Sequence, residues 1–531
     1  MQGLGTIGMV TVALLLIGSC SSSVGGESAA TDTPTIDTPT IDGGTGAGDV
    51  VDLRPLSASD DHRIVDDLNR DVLLRGVNVT SLGEYWQGDP DHEPTMSTTD
   101  ADWAEMASRG FSVVRLVVHW SRIEPTRGEI DQSYLDEIDA YVTAAADHGM
   151  YTVIDMHQDA YSAFISTPPG ETCPASSEPA KGWDGAPEWA TITDGASTCI
   201  TGDRNSSPAV INAWNHFYDN TDGIRDRFVA SWATVATRFA GRPEVAGYDL
   251  LNEPEVSRPG EELTPLYDQL VVDGVTAIRD AEAATGATFE HLIIVEPGLP
   301  AGNPAFGLLI PDPERIGIEP EGIVAGPHNY AESIGNGLDL TIEETNELFL
   351  TVATDLGVPL WVGEYGFWDT TPETRSELDR FAADQDRLAL GGAWWQWRQP
   401  CGDPHSISWG GWSTMESGEV THLHGLGCPG DVDLGPTEEL LDVVGRGYPR
   451  VAPGRIATLT SNTATGELFV VADGGQPGQQ LVVWTPTSAD THGVTVTGLD
   501  GLVETPVPGG RILTAEVVDA SGTYSLQVAP R

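Results

Sequence analysis

Residues 245–254 read VAGYDLLNEP, a short and largely apolar run that ends on Asn252, Glu253 and Pro254. Such a run is typical of a buried β-strand. Proline has no N–H and restricts the residue before it, so the strand cannot continue regularly past Glu253. We therefore expect a strand whose carboxyl end presents an amide and a carboxylic acid.

Seven further runs of this kind occur, and helical patterns such as residues 134–149 and 225–241 lie between them. The eight runs are LLRGVNV from Leu73, SVVRLVVHW from Ser112, YTVIDMHQD from Tyr151, VAGYDLLNEP from Val245, HLIIVEPG from His291, GIVAGPHNY from Gly322, PLWVGEYG from Pro359 and GGAWWQW from Gly391. Continuous apolar strands suit a parallel sheet that is buried on both faces. Strands that alternate eight times with helices predict an α/β fold, the (β/α)8 barrel.

The flanking segments differ in composition from this pattern. Residues 1–20 carry a short apolar core that ends on Cys20 and predict a signal peptide with a lipobox-like end, hence export and a lipid anchor on the bacterial surface. Residues 21–51 are rich in Ser, Thr, Gly and Pro and predict a disordered linker. Residues 52–450 are assigned to the barrel, and the Thr- and Val-rich residues 451–531 to an antiparallel β-sandwich.

The charge of the chain excludes one class of partner. Its 531 residues include 80 acidic and 26 basic side chains, a formal net charge of −54. Phosphate backbones would be repelled, so nucleic acid is not expected to bind. Contact with a membrane is expected only through the lipid anchor or a lipid substrate, because anionic headgroups would not attract the chain.

The cysteines beyond Cys20 are even in number, as expected for an exported protein with disulfides. Four cysteines can pair in three ways, and we favour the pairs that are local in sequence, each of which ties down a long loop. The favoured pairs are Cys173 with Cys199 and Cys401 with Cys428. The spacing of these cysteines does not match a zinc site, and no metal or organic cofactor is expected.

Two acidic residues end runs that lie opposite each other in the predicted barrel. Glu253 ends the fourth run and Glu364 ends the seventh. Active sites of such barrels lie at the carboxyl ends of the strands. A facing pair of carboxylates is the equipment for retaining glycoside hydrolysis, with one acid/base and one nucleophile. We expect Glu364 to raise the pKa of Glu253, so that Glu253 holds the proton.

The motifs NEP after the fourth run and GEYG in the seventh resemble glycoside hydrolase family 5, whose fold is the (β/α)8 barrel. The resemblance implies that Glu253 is the acid/base and Glu364 the nucleophile. It also implies a set of substrate-binding residues: Arg115, His157, Asn252, His328, Tyr330 and Trp395. The strand-end position of Asp159 adds this residue as a further sugar ligand. Glu296 ends the fifth run, where the family does not keep a catalytic carboxylate.

A narrower resemblance is to the endoglycoceramidases, which release a whole oligosaccharide from ceramide. It rests on HQDAYS from His157, GAPEWATITDG from Gly185, FYDNTDGIRDRFVASWATVATRFAG from Phe217 and YDLLNEP from Tyr248, within residues 72–450. It implies a glycosphingolipid substrate. The alternatives are a family 5 β-glucanase or mannanase and a lipoprotein that binds glycolipid without cleaving it, although both glutamates are present.

Ceramide would need an apolar channel beside the sugar site. Aromatic residues of two long insertions could line it or could pack the insertions' own cores, and the sequence favours neither reading. These residues are Phe164, Trp183, Trp189, Trp214, Phe217 and Tyr218 after the third run, and Ile407, Trp409 and Trp412 after the eighth.

Overall fold

The computed structural model describes residues 51–88, 91–298, 310–334, 340–406, 418–487 and 493–530. Cys20, the segment before it and the Ser/Thr/Gly/Pro-rich stretch up to residue 50 lie outside these ranges. Export, lipid attachment and the linker therefore stay predictions. Within the described ranges, no helix combines the length and the apolarity that a bilayer crossing requires.

Eight parallel strands form the central sheet, one for each run of the sequence analysis. They are β1 (Arg75–Val79), β2 (Val113–Val118), β3 (Tyr151–Met156), β4 (Val245–Asp249), β5 (Leu292–Val295), β6 (Ile323–Ala325), β7 (Trp361–Tyr365) and β8 (Gly391–Trp394). Neighbours pair in chain order from β1 to β6, and β8 pairs with β1 and β7. Single parallel bridges, Ala325 to Leu360 and His328 to Glu364, join β6 to β7. The predicted eight-stranded parallel barrel is therefore present and nearly closed.

Helices follow the strands and cover the barrel. The longer ones are Asp100–Ser108, Gln132–Asp147, Pro208–Tyr218, Ile224–Phe239, Gly260–Thr285, Ile342–Leu356, Pro372–Arg387 and Glu438–Val444, with short turns at Trp120–Ile123 and Pro313–Ile316. Their ends follow ordinary capping chemistry. The Asp131 side chain accepts from the N–H groups of Ser133 and Tyr134 at the start of one helix, and Gly286 ends another with φ +79°.

The side chains of strand β2 face two buried regions, the core between the sheet and the helices and the inside of the barrel. All six of its residues are buried. Val114, Leu116 and Val118 belong to the core that the helices share with the sheet. Successive side chains of a strand point to opposite faces, so Arg115 points into the barrel. A cation inside the barrel requires counter-charges from the neighbouring strands.

Two antiparallel sheets accompany the barrel. The seven-stranded sheet contains, in spatial order, Leu56–Ala58, Ile64–Asp66, Arg70–Val72, Tyr448–Pro453, Gln480–Pro486, Gly510–Val517 and Leu499–Val507. The four-stranded sheet contains Arg455–Asn462, Glu467–Asp473, Tyr524–Val528 and Val494–Thr497. Side chains of both sheets, such as Leu481 and Val470, belong to one buried cluster.

The first three strands of the chain correct the boundary drawn from the sequence. Residues 56–72 were assigned to the barrel, but they extend the seven-stranded sheet, with Val72 opposite Val451 and Asp71 opposite Ala452. The barrel proper begins at Arg75. The pairing of Arg70–Val72 with Tyr448–Pro453 joins segments far apart in the sequence and leaves no local pattern, so the composition of the sequence did not reveal it.

Both predicted disulfides are confirmed. Cys173 pairs with Cys199 and Cys401 with Cys428, with Cα–Cα distances of 5.7 Å and 5.8 Å. Each closes an insertion at the carboxyl end of the barrel, one after β3 and one after β8. Each insertion also has a small antiparallel sheet: Glu178–Pro179 with Cys199–Ile200, and Glu419–Val420 with His424–Gly427 and Val432–Pro436.

Trp484 joins the seven-stranded sheet to the opposite end of the barrel. Its ring is 1% exposed, and its Nε1–H donates to the Gly445 carbonyl at 2.9 Å. Gly110, just after the first long helix, leaves the space for this ring, because a β-carbon there would overlap it. The sheet and the barrel therefore share a packed contact.

We expect Trp484→Ala to lower the free energy of unfolding by about 3 to 5 kcal/mol, because a large buried ring is replaced by a cavity. Urea unfolding of both proteins measures the difference. Val503→Ala is the matched control in the same sheet, since Val503 is 53% exposed and should change the free energy little. Equal losses in the two variants would show that the contact contributes nothing.

Candidate active site

The carboxyl ends of the strands surround an open pocket of about 130 Å³. It is lined by His157, Asp159, Arg204, Asn252, Glu253, Tyr330, Ile334, Glu364, Trp368, Trp395 and His405. Seven of these residues are among the nine predicted from the sequence. Two predicted residues, Arg115 and His328, do not line the pocket but contact the carboxylates that do. Arg204, Ile334, Trp368 and His405 were not predicted.

Arg115 is completely buried at the base of the pocket. Its Nη1 donates to Glu364 Oε1 at 2.6 Å and its Nε to Asp249 Oδ2 at 2.9 Å. Its Nη2 lies 3.0 Å from Asp155 Oδ1 and 2.8 Å from Glu296 Oε1. The prediction that Arg115 binds substrate is corrected, because these contacts and its burial leave it no access to a ligand. It acts by holding Glu364.

The backbone conformation of Glu253 explains why strand β4 is followed by Asn252, Glu253 and Pro254. Glu253 has φ +39°, an unfavourable conformation for a residue with a side chain. Its N–H donates to Glu296 Oε2 at 2.8 Å, and its carbonyl accepts from Gln158 Nε2 at 2.9 Å. These bonds hold the strained turn and direct the Glu253 side chain to the pocket. Glu296 thus supports the backbone of Glu253.

His328 lies between the two predicted catalytic carboxylates. Its Nδ1–H donates to Glu253 Oε1 at 2.8 Å and lies 3.4 Å from Glu364 Oε2. One oxygen of Glu253 and one of Glu364 lie within 4.8 Å of each other. Retaining glycosidases hold their two carboxyl groups about 5 to 5.5 Å apart, whereas inverting ones need a wider gap. The arrangement suits direct attack on a sugar and not attack by an intervening water.

The protonation of Glu253 differs from the sequence-based expectation. Burial alone would raise the pKa of Glu253, but the hydrogen bond from His328 and the positive charge of Arg204 outweigh it and lower the pKa below its ordinary value. His328 is itself cationic, since burial lowers its pKa but the carboxylates of Glu296 and Glu364 raise it well above the usual value. The contacts with His328 and Arg204 therefore favour the ionised form of Glu253.

Glu364 is held as a nucleophile would need to be. Burial raises the pKa of Glu364, while the charges of His328 and Arg115 oppose that rise. The Tyr330 hydroxyl donates to Glu364 Oε2 at 2.8 Å, and Arg115 contacts the other oxygen. Both oxygens are thus hydrogen-bonded, which fixes the direction of attack.

The opposite wall of the pocket combines one flat ring with hydrogen-bonding groups. The Trp395 ring stacks on His157, with centroids 5.2 Å apart and an interplanar angle of 14°. Asp155 Oδ2 accepts from His157 Nδ1 at 2.7 Å, and the buried His157 Nε2 lies 3.9 Å from Asp159 Oδ2. Asp159 faces the pocket beside them. A flat apolar face next to polar groups is suited to a sugar ring.

Arg204 and His405 come from the two disulfide-closed insertions. Arg204 Nη2 donates to Asp159 and, at 3.2 Å, to Glu253 Oε2. His405 Nε2 donates to Asp159 Oδ2 at 2.7 Å, and its Nδ1 lies 2.8 Å from Asp403 Oδ1. Neither residue ends a strand, so the strand-end pattern could not reveal them. Only the folding of the insertions over the barrel brings them to Asp159.

The insertion aromatics divide as follows. Trp214, Phe217 and Tyr218 are buried and pack on one another, so they form the core of the insertion and not a channel. Trp183 is buried beneath Arg204. Phe164 is 47% exposed. Ile407, Trp409 and Trp412 lie outside the described residues.

Three groups of acidic and histidine side chains lie close enough to reach a single ion: His157 with Asp159 and Asp184, Glu253 with His328 and Glu364, and Asp155 with Asp249 and Glu296. Arginine or histidine already pairs with carboxylates in each group, through Arg204, His328 or Arg115. Ion pairs account for the proximity of these residues, and we assign no metal ligand to them.

The comparison with protein families decides the class of this site. Residues 65–400 match the family model described as cellulase (glycosyl hydrolase family 5). The chain belongs to glycosyl hydrolase family 5. It is therefore a glycosidase, and its eight-stranded barrel is the family fold.

Several proteins that are similar to this chain are endoglycoceramidases. A crystal structure of an endogalactoceramidase is 35% identical, with a TM-score of 0.81 over 90% of this chain and all of the other. The lactosyl-enzyme intermediate of endo-glycoceramidase II from Rhodococcus sp. is 25% identical, with a TM-score of 0.67 over 88% of this chain and 99% of the other. Endoglycoceramidase I of Rhodococcus hoagii is 25% identical over 500 residues, 88% of this chain and 87% of that protein.

Two further relatives align over shorter lengths. The endoglycoceramidases of Cyanea nozakii and Hydra vulgaris are 28% and 26% identical, and the alignments span only 40% and 39% of those proteins.

His405 gives this family 5 site a pH-dependent contribution to stability. Burial alone would lower the pKa of His405, but Asp403 and Asp159 raise it to about 10, from 6.5 in the unfolded chain. A raised pKa stabilises the fold fully below the unfolded value, and the gain is lost as the pH rises through the folded value.

We expect the stability advantage of the wild type over His405→Gln to be largest below about pH 6.5, and to decline by up to about 1.4 kcal/mol per pH unit until about pH 10. Urea unfolding of both proteins across this range measures it. His216→Gln, at the exposed ion pair with Asp194, controls for loss of a surface histidine. An advantage that does not vary with pH would contradict the assignment.

Proposed function

We propose that this chain is a retaining, endo-acting hydrolase that cleaves the β-glycosidic bond between the oligosaccharide and the ceramide of glycosphingolipids. The observation that carries the proposal is the close pair Glu253 and Glu364, bridged by His328, in a fold that covers the whole of an endogalactoceramidase at 35% identity. The relative described as a lactosyl-enzyme intermediate supports a covalent step in a protein of this kind.

Glu364 is the nucleophile of the proposed reaction. Its carboxylate forms a bond to the anomeric carbon while the bond from that carbon to the ceramide oxygen breaks. Glu253 gives its proton to the ceramide oxygen, so that ceramide leaves as an alcohol. Glu253 then takes a proton from water, whose oxygen attacks the anomeric carbon and releases Glu364. The oligosaccharide leaves with the configuration retained.

The remaining pocket residues orient the sugar. Asn252 Oδ1 accepts from Arg115 Nη2 at 3.0 Å, which aims the Asn252 side chain at the sugar hydroxyl beside the reacting carbon. Trp395 supplies the apolar face, and His157 and Asp159 the polar contacts. Their bonds to Asp155 and His405 fix these groups before the substrate arrives.

The ceramide end of the substrate needs apolar contacts. Ile334 and Trp368 are the apolar side chains of the pocket wall that the sequence did not single out, and Trp368 stacks on Tyr330 with ring centroids 5.7 Å apart. Both contact Tyr330, since the Ile334 N–H donates to the Tyr330 carbonyl at 3.1 Å. We assign the first part of the ceramide path to these two residues.

The proposal extends to the location of the enzyme and to its C-terminal region. Cys20 is the proposed attachment point of a lipid that holds the exported enzyme on the bacterial membrane. The two antiparallel sheets are proposed to pack face to face as a sandwich, because their side chains share one buried cluster. Fractionation of cells that express the wild type or Cys20→Ala tests the anchor.

The deciding experiment incubates residues 21–531, and separately Glu364→Gln, with a ganglioside in detergent. Mass spectrometry should find intact ceramide and intact oligosaccharide with the wild type, and a loss of rate of at least about 10³-fold with Glu364→Gln, because the nucleophile is removed. Glu290→Gln, whose carboxylate is exposed, is the control for the charge change.

Other products would change the conclusion. Stepwise loss of single sugars, or cleavage of soluble β-glucan or mannan with no attack on the ganglioside, would reassign the enzyme to polysaccharide. Binding of the ganglioside with no product at all would indicate a glycolipid-binding protein.

A further inference from the structure

Arg204 occupies an unusual place in the pocket. It reaches in from the insertion after β3, where Asp203 Oδ1 accepts from the Asn205 N–H and so caps the turn that carries it. Its guanidinium lies 4.8 Å above the Trp183 ring. A single nitrogen, Nη2, donates both to Asp159 and to Glu253 Oε2. One cation therefore ties a sugar-binding carboxylate to the acid/base.

This contact conflicts with the role of Glu253 unless it can be broken. Glu253 must carry a proton to release ceramide, but a cation within hydrogen-bond distance favours the ionised carboxylate. The charged and titratable groups that face Glu253 are Arg204 from the insertion, Asp159 after β3, Glu255 on its own loop, Glu296 after β5, His328 and Tyr330 after β6, and Glu364 on β7. Arg204 and His328 are the two cations among them.

The surroundings of these two cations show which one can leave. The His328 side chain is 2% exposed, with Glu253 and Glu364 at Nδ1 and Glu296 at Nε2, 3.3 Å away. The Arg204 side chain is 28% exposed. His328 is thus enclosed between carboxylates, whereas Arg204 lies at the rim of the pocket.

We propose that Arg204 is a positioning residue that clamps Glu253 and Asp159 in the empty pocket and swings off both when a sugar takes its place. This inference rests on the proposed function for the role of Glu253. Sugar hydroxyls bonded to Asp159 replace the guanidinium there, and the same movement frees Glu253 Oε2. The proton then passes from His328 Nδ1 to Glu253 Oε1 along their hydrogen bond, and His328 becomes neutral. That proton goes on to the ceramide oxygen as the glycosidic bond breaks.

The consequence is that Glu253 is protonated for catalysis only when a sugar is bound. Without a sugar, the pocket holds an Arg204–Glu253 ion pair. With a sugar, the same carboxyl group is neutral and faces the leaving oxygen. Arg204 would thus link occupation of the sugar site at Asp159 to the protonation of Glu253.

Infrared difference spectra, wild type minus E253Q, test the clamp without turnover, because they isolate the carboxyl band of Glu253. At pH 6 the band of the protonated acid should be absent from the empty enzyme and should appear when lactose is added. In Arg204→Gln, without lactose, the titration of this band should be displaced upward by about one pH unit or more relative to the wild type. Identical titrations in wild type and Arg204→Gln, or no response of the wild type to lactose, would overturn the proposal.

Kinetics on a ganglioside show whether Arg204 leaves Glu253 when substrate binds or stays in contact with it. The profile of kcat/KM against pH reports the free enzyme and that of kcat the complex. We expect Arg204→Gln to move the basic limb of kcat/KM to higher pH and to leave that of kcat in place, since the clamp is already off in the complex. Equal displacement of both limbs would mean that Arg204 stays on Glu253, contrary to the proposal.

Two variants complete the design. Arg204→Lys keeps the charge with a shorter reach and should restore part of the wild-type profile. Arg258→Gln, on the loop that follows Glu253, removes an arginine that pairs with Asp219 outside the pocket, and should leave both limbs in place. If the infrared spectra behave as expected but the ganglioside is not cleaved, the proposed role of Arg204 is supported and the proposed substrate is wrong.

Discussion

One buried guanidinium constrains this whole structure. Arg115 is enclosed inside the barrel, where an unpaired charge would be prohibitively unfavourable. Its partners come from separate strands: Asp155 on β3, Asp249 on β4, Glu296 after β5 and Glu364 on β7. These groups can meet only if the sheet curves into a barrel. The charge balance and the closure of the barrel therefore require each other.

The hydrogen bonds around Arg115 also fix the positions of the two catalytic carboxylates. Arg115 contacts Glu364 directly, and it fixes Glu296, whose other oxygen accepts the N–H of Glu253. Glu253 can then keep a strained backbone that turns its side chain into the pocket. His328 completes the circuit, since it touches Glu253, Glu296 and Glu364. The positions of both carboxylates thus depend on buried bonds and not on the substrate.

The two insertions contribute a second group of residues to the site. Arg204 follows the Cys173–Cys199 loop, His405 lies within the Cys401–Cys428 loop, and both contact Asp159. Loops can vary in length and sequence while the barrel that supports them stays the same. In this site the barrel supplies the bond-breaking groups, and the insertions supply the charges that surround the sugar-binding carboxylate. The nearest such charge, Arg204, also reaches the acid/base.

The sequence by itself determined the eight strands and the position of Glu253 and Glu364 at strand ends, and it favoured the two observed disulfide pairs among three possible pairings, because each feature leaves a local pattern. Apolar runs, an Asn-Glu-Pro turn and cysteines near in sequence need no knowledge of distant contacts. Tertiary structure alone decided that residues 56–72 join the C-terminal strands and that Arg115 is sealed beneath the pocket. It also brought Arg204 and His405 to Asp159, and it reversed the expected pKa shift of Glu253. These features depend on charges and strands far apart in the chain, whose distances are set only when the barrel closes and the insertions fold over it.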